Sequence, residues 1–427
     1  MNSAPKPGIG RVRQAEIYTD GLSGRRPIVP INPDDLEKSA QAKLPVDAFA
    51  YIAGGAGLER TMAANRQAFD HWQIVPRVLN DVSRRDSSIE LLGHTIPAPI
   101  LTAPIGVLEM AHREADHALA RAAAAESVPM IISNQASFPM ETIAEHLGHT
   151  PRLFQLYWGM SDELMLSLVD RAEACQCSAI VITVDTTLLG WRTRDLDLGY
   201  LPFLRGKGIA QYTHDPVFQK QIDNPLSASS GRRRITLTTL AVLWQLLRAY
   251  PDRSVANLRS GKPLRAANHF TATYSRPSLT WDNLALLAAH TRLPVFLKGI
   301  LHPDDARKAL DYGIQGLIVS NHGGRQVDGA IGALDALPAI IRAVEGQVPV
   351  LFDSGVRTGA DVFKALALGA RAVCIGRPYV YGLALAGEAG VRAVLRNMKA
   401  DFDLTMGLAG CKSISEISAD RLVRAGG

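Results

Sequence analysis

The sequence predicts an α/β protein with a (β/α)8 (TIM) barrel, because short apolar runs alternate with helical stretches from residue 98 onward. Each run is followed by a polar or glycine-containing junction. Near-continuous apolar strands are typical of a parallel sheet that helices cover on both faces. Eight runs are present: PILTAP (99–104), VPMIIS (128–133), LFQLY (153–157), AIVITVD (179–185), PVFLK (294–298), GLIVS (316–320), PVLFD (349–353) and AVCIG (372–376).

Helix signals lie in the gaps between these runs. Residues 302–313, HPDDARKALDYG, have Pro303 and two acids near the start and Gly313 at the end. Residues 358–369 run from a threonine cap to Gly369. Proline, acids and threonine favour helix N-termini and glycine favours C-termini, so both stretches are predicted to be barrel helices.

The barrel is predicted to span residues 98–427, after an N-terminal helical extension, residues 1–97, that packs on it. The 186–293 segment after the fourth strand is far longer than a βα connection requires. We expect an insertion at about 196–280 to form a lid or an oligomer contact. Its apolar stretch 235–250, preceded by GRRR, is predicted to be a helix. Packing on the barrel or on a neighbouring subunit is favoured over an interfacial membrane helix, since apolar residues surround most of it.

The composition is that of a soluble globular protein, with 47% hydrophobic and 20% charged residues. Residues 201–280 hold 12 Lys and Arg against 3 Asp and Glu, but no nucleic-acid-binding module accompanies that charge. The N-terminus has no apolar signal core, and no apolar run is long enough to span a bilayer.

The spacing of the four cysteines indicates reduced thiols in a cytoplasmic protein. They are Cys175, Cys177, Cys374 and Cys411.

Polar side chains stand at the ends of six predicted strands. Because the carboxyl ends of barrel strands meet at one mouth, where such enzymes carry their chemistry, these residues are predicted to form one site. In strand order they are Gln155 and Tyr157, Thr183 and Asp185, Lys298, Ser320 to His322, Asp353, and Gly376 with Arg377.

The predicted mouth is rich in cations, which would repel one another unless anionic groups bind there. Arg357 and Arg377, with a glycine-bearing turn and the Thr358 helix start, are predicted to hold a phosphate. Arg192 and Arg325 suit a substrate carboxylate, because a guanidinium fork matches a carboxylate with two hydrogen bonds.

His322, in the stretch SNHGGRQVDG, is predicted to be the general base, since the ordinary pKa of a histidine side chain lies near neutrality. Asp185 would stabilise the imidazolium that forms, and Lys298 would stabilise negative charge that develops during the reaction. A metal site at His322 and Asp185 is disfavoured, because the other strand ends supply no further ligand cluster. The two glycines after His322 would let a flat ring lie against the backbone.

These motifs resemble the FMN-dependent L-2-hydroxy-acid oxidising family from about residue 51 to the C-terminus. Segments 51–57, 191–206 and 297–313 are most similar to its lactate 2-monooxygenase branch. The resemblance implies FMN as cofactor, L-lactate as substrate and oxygen as acceptor, with acetate, CO2 and water as products. It also implies a homotetramer or higher oligomer.

Other activities remain open from the sequence. An oxidase would release the keto acid and hydrogen peroxide, and a dehydrogenase would pass electrons to a quinone or another carrier, with the basic insertion on a membrane. A barrel that binds a phosphorylated ligand without redox chemistry would leave Lys298, His322 and Asp185 without roles.

The resemblance also implies site roles. Those implied for catalysis are His322, Asp185, Lys298 and Tyr157, and those for substrate binding are Tyr51, Tyr157, Arg192, His322 and Arg325. Those implied for FMN are Pro104, Ile105, Gly106, Ser133, Gln155, Thr183, Lys298 and Ser320 around the ring, and Asp353, Ser354, Gly355, Arg357, Gly376 and Arg377 at the phosphate.

The sequence departs from the family pattern at two positions near the flavin. Gln135 stands where glycolate oxidases carry tryptophan, and Gly106 stands where many oxidases carry alanine. The missing methyl group at Gly106 is expected to leave more room where oxygen reacts. The insertion is also longer than in the monooxygenase branch, notably around 259–275.

Overall fold

The computed structural model describes residues 8–223, 236–251 and 255–426. The part that precedes the barrel contains helices and short strands, which the prediction of a helical extension did not include. These elements are α1 (Ile9–Leu22), α2 (Pro33–Lys43), α3 (Val46–Ala53), α4 (Arg60–Asp70), β1 (Trp72–Ile74), β2 (Ile89–Leu91) and β3 (His94–Ile96).

Eight parallel strands close into a barrel, each paired with its neighbours in chain order and the last with the first. The predicted (β/α)8 fold is therefore confirmed, and each predicted strand overlaps an observed one. The strands are β4 (Ile100–Thr102), β5 (Met130–Ser133), β6 (Arg152–Leu156), β7 (Ile180–Thr183), β8 (Val295–Ile300), β9 (Gly316–Val319), β10 (Val350–Phe352) and β11 (Ala372–Ile375).

Helices cover the outside of the barrel and fill the insertion. After β4, β5 and β6 come α5 (Ala115–Ala125), α6 (Met140–Leu147) and α7 (Asp162–Ala174). Between β7 and β8 lie α8 (Thr193–Asp197), α9 (Ala210–Thr213), α10 (Pro216–Asp223), α11 (Leu237–Ala249), α12 (Val255–Ser260), α13 (Lys262–Thr273) and α14 (Asp282–His290). The remaining α-helices and the last strand are α15 (Pro303–Asp311), α16 (Ala333–Val344), α17 (Gly359–Ala367), α18 (Arg377–Leu408) and β12 (Leu422–Arg424), which pairs with β1.

The predicted helices have the caps that their sequences indicate. The His302 side chain accepts the Asp304 amide at the start of α15, and Thr358 forms a capping box with Asp361 at the start of α17. The apolar stretch in the insertion forms α11, and the GRRR sequence before it lies outside the described residues. Helix α11 buries Leu246 but exposes much of its apolar surface.

Two apolar layers hold the fold together. Inside the barrel, alternate strand residues such as Leu101, Val181 and Phe296 pack with Ile89 and Ile96 of the β2–β3 hairpin. The hairpin therefore closes the amino-terminal end of the barrel, and the carboxyl ends of the strands form the other end, where a ligand can enter. A second layer lies between the strands and the surrounding helices.

None of the helices in the described part of the chain has the character of a membrane span. Even α18, with 32 residues, does not combine length and apolar character as a bilayer-spanning helix does, and neither does another helix in the described ranges.

Candidate active site

Six polar side chains form the layer of the barrel interior that lies above the apolar core. Side chains two positions apart on a strand face the same way, so each follows a buried apolar residue into the interior. Thr183 follows Val181, for example, and Lys298 follows Phe296. The layer consists of Ser133, Gln155, Thr183, Lys298, Ser320 and Asp353, all of which are buried.

A cavity that opens to solvent lies above this layer. Most residues predicted for the site line it, while Asp185, Ser133, Gln155 and Ser320 lie behind its wall. The predicted residues in the lining are Tyr51, Pro104, Ile105, Gly106, Tyr157, Thr183, Arg192, Lys298, His322, Arg325, Asp353, Ser354, Gly355, Arg357, Gly376 and Arg377.

His322 is held between a carboxylate and a phenol. Its Nδ1 lies 2.8 Å from Asp185 Oδ1, and its Nε2 lies 3.3 Å from the Tyr157 hydroxyl. Thr186 donates a hydrogen bond to the same Asp185 oxygen at 2.8 Å. The imidazole can therefore hold a proton on Nδ1 and present Nε2 to the cavity as an acceptor.

The turn that carries His322 is fixed on both sides. His322 has a left-handed backbone, with φ of 58°, and its amide donates to Ser320 Oγ at 3.0 Å. The adjacent Asn321 exchanges two buried hydrogen bonds with Asn65 of α4, at 2.8 and 2.6 Å. Such a strained conformation persists only where the surroundings determine it, so the orientation of the histidine is set by long-range contacts.

The electrostatic environment favours a neutral histidine beside an ionised carboxylate. Burial lowers the pKa of His322, and the nearby cations Lys298 and Arg192 add to this effect, while Asp185 opposes it. Burial would raise the pKa of Asp185, but His322 and Lys298 outweigh it and hold this pKa at about 2. Burial raises the pKa of Tyr157, which therefore remains protonated. Together they provide a base and a hydrogen-bond donor.

Two arginines face the same cavity around the Tyr51 ring. Arg325 Nη1 donates to the carbonyl oxygens of Tyr51 and Gly54, at 2.6 and 2.8 Å. The Cζ atoms of Arg325 and Arg192 lie 5.0 and 6.0 Å from the Tyr51 ring centroid. Within the described residues, neither guanidinium is hydrogen-bonded to a carboxylate. Burial and the proximity of Arg192 lower the pKa of Arg325 to about 9, and a bound carboxylate would relieve this repulsion.

Lys298 is paired inside the barrel. Its Nζ donates to Ser320 Oγ at 2.8 Å and lies 3.2 Å from Asp353 Oδ2. Burial would lower the pKa of Lys298, yet Asp353 and Asp185 raise it, so the ammonium group remains charged. The Asp353 carboxylate therefore balances the charge of Lys298 inside the barrel.

The loops after β10 and β11 form the predicted phosphate end. Ser354 and Gly355 have left-handed backbones, with φ of 82° and 98°. Arg377 donates to the carbonyl oxygens of Ile52, Gly323 and Gly54, at 3.2, 3.0 and 2.9 Å, and thus links the start of α18 to the end of α3 and to the turn after β9.

Arg357 is the less restrained guanidinium at this end. Its one side-chain hydrogen bond within the described residues goes to the carbonyl oxygen of Val356, at 3.1 Å. Burial lowers the pKa values of both Arg357 and Arg377, as expected for cations without an anionic ligand.

The start of α17 does not offer the phosphate contact that the sequence predicted. The amides of Arg357 and Thr358 donate to Asp361 Oδ2 at 2.8 and 3.1 Å. The amide of Gly359 donates to Asp401 Oδ2 at 2.5 Å. Carboxylates therefore already bind the N-terminus of α17, and a phosphate placed there would be repelled.

The polar interior layer fits the edge of a flavin ring. Gln155 Nε2 and Thr183 Oγ1 are buried, and neither has a hydrogen-bond partner within the described residues. Buried polar atoms nearly always have hydrogen-bond partners, so these two atoms indicate that a polar group binds beside them. That group must offer an acceptor to the Gln155 amide nitrogen, and either a donor or an acceptor to the Thr183 hydroxyl. The carbonyl oxygens and ring nitrogens of FMN supply such atoms, and the neighbouring Lys298 supplies positive charge.

The extra room expected at Gly106 is absent. A methyl group there would lie 2.7 Å from Gln135 Cβ and 2.9 Å from the Gln135 carbonyl oxygen. Gly208 of the insertion also packs close to this loop, since a methyl group added at Gly208 would lie 2.9 Å from the same Gln135 carbonyl oxygen. The space of the missing methyl group is therefore filled by the loop that carries Gln135.

The sequence analysis missed several residues of the cavity wall. Thr186, Leu108 and Leu189 lie beside predicted residues, while Phe203 and Tyr274 come from the insertion. Rings of the insertion pack together: Phe203 lies 5.9 Å and Phe270 5.2 Å from the Tyr274 centroid. No local signal indicates these two residues, because they are far along the chain from a strand end.

The described residues contain no group of three or more histidine, cysteine, aspartate or glutamate side chains placed to hold a metal ion.

Comparison with known proteins gives the same assignment of fold and cofactor. Residues 40–424 match the family model described as FMN-dependent dehydrogenase. The chain is 42% identical to L-lactate oxidase from Lysinibacillus sphaericus over 409 residues, which cover 96% of each protein. It is 37% identical to glycolate oxidase from Spinacia oleracea over 92% of this chain and 95% of that protein. A crystal structure of mandelate oxidase superposes with a TM-score of 0.73 and 35% identity, and covers 92% of this chain and 98% of that one.

Proposed function

Because the chain belongs to the FMN-dependent dehydrogenase family and has FMN as its cofactor, we propose that it oxidises L-lactate, a small L-2-hydroxy acid, with oxygen. One observation carries the proposal. His322, backed by Asp185 at 2.8 Å, shares a cavity with two arginines that are not hydrogen-bonded to a carboxylate within the described residues. A base and a carboxylate clamp in one cavity are the two elements that oxidation of a 2-hydroxy acid requires.

Arg325 and Arg192 bind the substrate carboxylate. Arg325 is already oriented by the carbonyl oxygens of Tyr51 and Gly54, so little side-chain entropy is lost when the substrate binds. The Tyr51 ring supports both guanidinium groups, and its hydroxyl contributes to the same clamp.

His322 accepts a proton from the bound substrate at Nε2. Asp185 stabilises the resulting imidazolium and keeps the other proton on Nδ1. The Tyr157 hydroxyl donates a hydrogen bond to the substrate oxygens, because burial raises its pKa and keeps it protonated. When bound, FMN would supply the two-electron acceptor for the oxidation. The Lys298 ammonium, oriented by Ser320, would stabilise negative charge that develops on that acceptor.

The proposed overall reaction converts L-lactate and oxygen into acetate, CO2 and water. This outcome requires that the keto acid stays in a closed cavity while oxygen reacts. Phe203 and Tyr274 support it, because they bring two aromatic rings of the insertion (about 196–280) into the cavity wall, where a lid would act. The alternative is an oxidase that releases pyruvate and hydrogen peroxide, which the names of the relatives above favour.

Aerobic turnover with L-lactate tests the proposal. Pyruvate and acetate are followed by NMR, and peroxide is followed with a peroxidase assay. Acetate without free peroxide supports the monooxygenase reaction, and pyruvate with an equal amount of peroxide supports the oxidase. Turnover only with an added quinone would support a dehydrogenase, and no turnover with any 2-hydroxy acid would contradict the proposal.

We also propose that the protein is a cytoplasmic homo-oligomer, a tetramer or larger. Large apolar side chains are exposed near the mouth, including Leu188, Trp191 and Val327. Hydrogen bonds from Gly57 to the Trp191 carbonyl and from Gln326 to the Leu188 carbonyl bring these loops together. Light scattering of the purified protein and cell fractionation test the two statements; a monodisperse monomer or a membrane-bound protein would contradict them.

A further inference from the structure

A second cavity lies between α1 and α18, outside the phosphate end of the candidate active site. Arg357 lines both cavities, and Thr358 lines the second. The Arg357 side chain is thus part of the partition between the FMN site and the space beneath α1. Residues of α1 that line this space include Arg13, Gln14 and Ile17.

Helix α1 is held against the protein mainly by polar contacts. Of its 14 residues, only Gly10 is buried. The Gly10 amide donates to Asp403 Oδ2 at 2.9 Å, and Arg13 Nε donates to Asn397 Oδ1 at 2.9 Å. Arg396 pairs with Glu16 at 2.7 Å. Segments with few buried apolar contacts open at a lower free energy than the core does, so α1 can detach while the barrel stays folded.

The closest approach between α1 and α18 is at Gly10. A methyl group at this position would lie 2.4 Å from Leu404 Cγ and 2.7 Å from the Ala400 carbonyl oxygen. A methyl group at Gly21, in the same helix, would meet no atom within 4 Å. The packing of α1 on α18 therefore requires a residue without a side chain at Gly10 but not at Gly21.

We propose that α1 is a strap over the phosphate end of the FMN site, and that its detachment from α18 opens the route by which FMN enters and leaves. Opening of α1 widens the second cavity, which is already open to solvent, and exposes the outer side of Arg357. The inference rests on the proposed role of Arg357 at the FMN phosphate, but it does not depend on which hydroxy acid is oxidised.

The test compares FMN release from wild-type holoenzyme and the variants Gly10→Ala and Gly21→Ala. Release is followed without substrate as the rise in FMN fluorescence after dilution. We expect Gly10→Ala to release FMN at least tenfold faster, with an unchanged thermal unfolding midpoint of the barrel and unchanged turnover per bound FMN. Gly21→Ala should release FMN at the wild-type rate. Equal release rates in all three proteins would overturn the proposal.

A second variant distinguishes detachment of α1 from a general loss of stability caused by Gly10→Ala. Asn397→Ala removes the partner of Arg13 from the α18 side and introduces no clash. It should speed FMN release several-fold, and hydrogen exchange should show α1 amides opening before those of the barrel strands. Faster release that occurs only together with a lower barrel unfolding midpoint would contradict the strap. Faster FMN release from Gly10→Ala, combined with no hydroxy-acid turnover by the wild-type protein, would contradict the proposed reaction but support the strap.

Discussion

His322 Nδ1 lies 2.8 Å from the carboxylate of Asp185, which joins the loop after β9 to the loop after β7. The two residues are 137 positions apart in the chain, and the pairing of β7 and β9 with the two edges of β8 brings them together. This hydrogen bond leaves Nε2 of the same ring facing Tyr157 and the cavity.

Replacement of His322 by alanine should remove the base but not the cofactor. We expect the rate of flavin reduction by L-lactate to fall by at least about 10²–10⁴-fold, the usual contribution of a general base. Anaerobic stopped-flow absorbance measures this rate, and the bound FMN spectrum reports cofactor retention. A variant that is reduced at the wild-type rate would contradict the mechanism.

The pH dependence of kcat/KM should follow the protonation of His322. Protonated histidine cannot accept a proton, so activity should rise with pH through the pKa of this residue. Burial lowers that pKa from its ordinary value, so the acidic limb should lie below about pH 6.5. Asp185→Asn removes the charge that opposes this effect and should move the limb to still lower pH, with a smaller kcat. A limb that moves to higher pH would contradict the pairing.

Arg325→Lys should weaken substrate binding more than it slows the chemical step. Lysine cannot supply the planar fork, and it would lose the Tyr51 and Gly54 carbonyl contacts. We expect KM to rise about ten- to hundredfold, as for the loss of a charged hydrogen bond worth about 1.5–3 kcal/mol. Steady-state kinetics separate the two parameters, and a fall in kcat alone would point to another role.

Gly106→Ala should force the Gln135 loop to move, because the added methyl group would lie 2.7 Å from Gln135 Cβ. Overpacking of this kind costs about 1–3 kcal/mol. A lower unfolding midpoint and a lower kcat/KM are therefore expected, with calorimetry and kinetics as the measurements. A stable variant with unchanged kinetics would show that the site has free space after all.

Tyr274→Ala should shift the products from acetate towards pyruvate and peroxide, if the insertion retains the keto acid. Tyr274 lines the cavity, whereas Trp244, in the same insertion, is 57% exposed and does not. Trp244→Ala is therefore the matched control, and its product ratio should equal that of the wild type. NMR and a peroxidase assay measure both ratios, and identical ratios in the two variants would exclude Tyr274 from a lid.

The strand-end residues were predictable because two rules apply to them locally. The apolar runs identify the strands, and the side-chain alternation of a strand places Thr183 and Lys298 inside the barrel. The capping sequence at Thr358 predicted α17, but it also suggested a phosphate contact that Asp361 and Asp401 already occupy. Capping by acidic residues depends on side-chain geometry, which spacing alone does not give.

The sequence by itself determined the (β/α)8 fold, the FMN-dependent family and the set of polar residues at the barrel mouth, because strand burial and motif spacing are local properties. The tertiary structure alone decided what fills the space beside Gly106, which residues of the insertion reach the cavity, and how α1 lies against α18. These features depend on contacts between segments far apart in the chain. Such contacts are fixed by packing in three dimensions, for which a local pattern carries no signal.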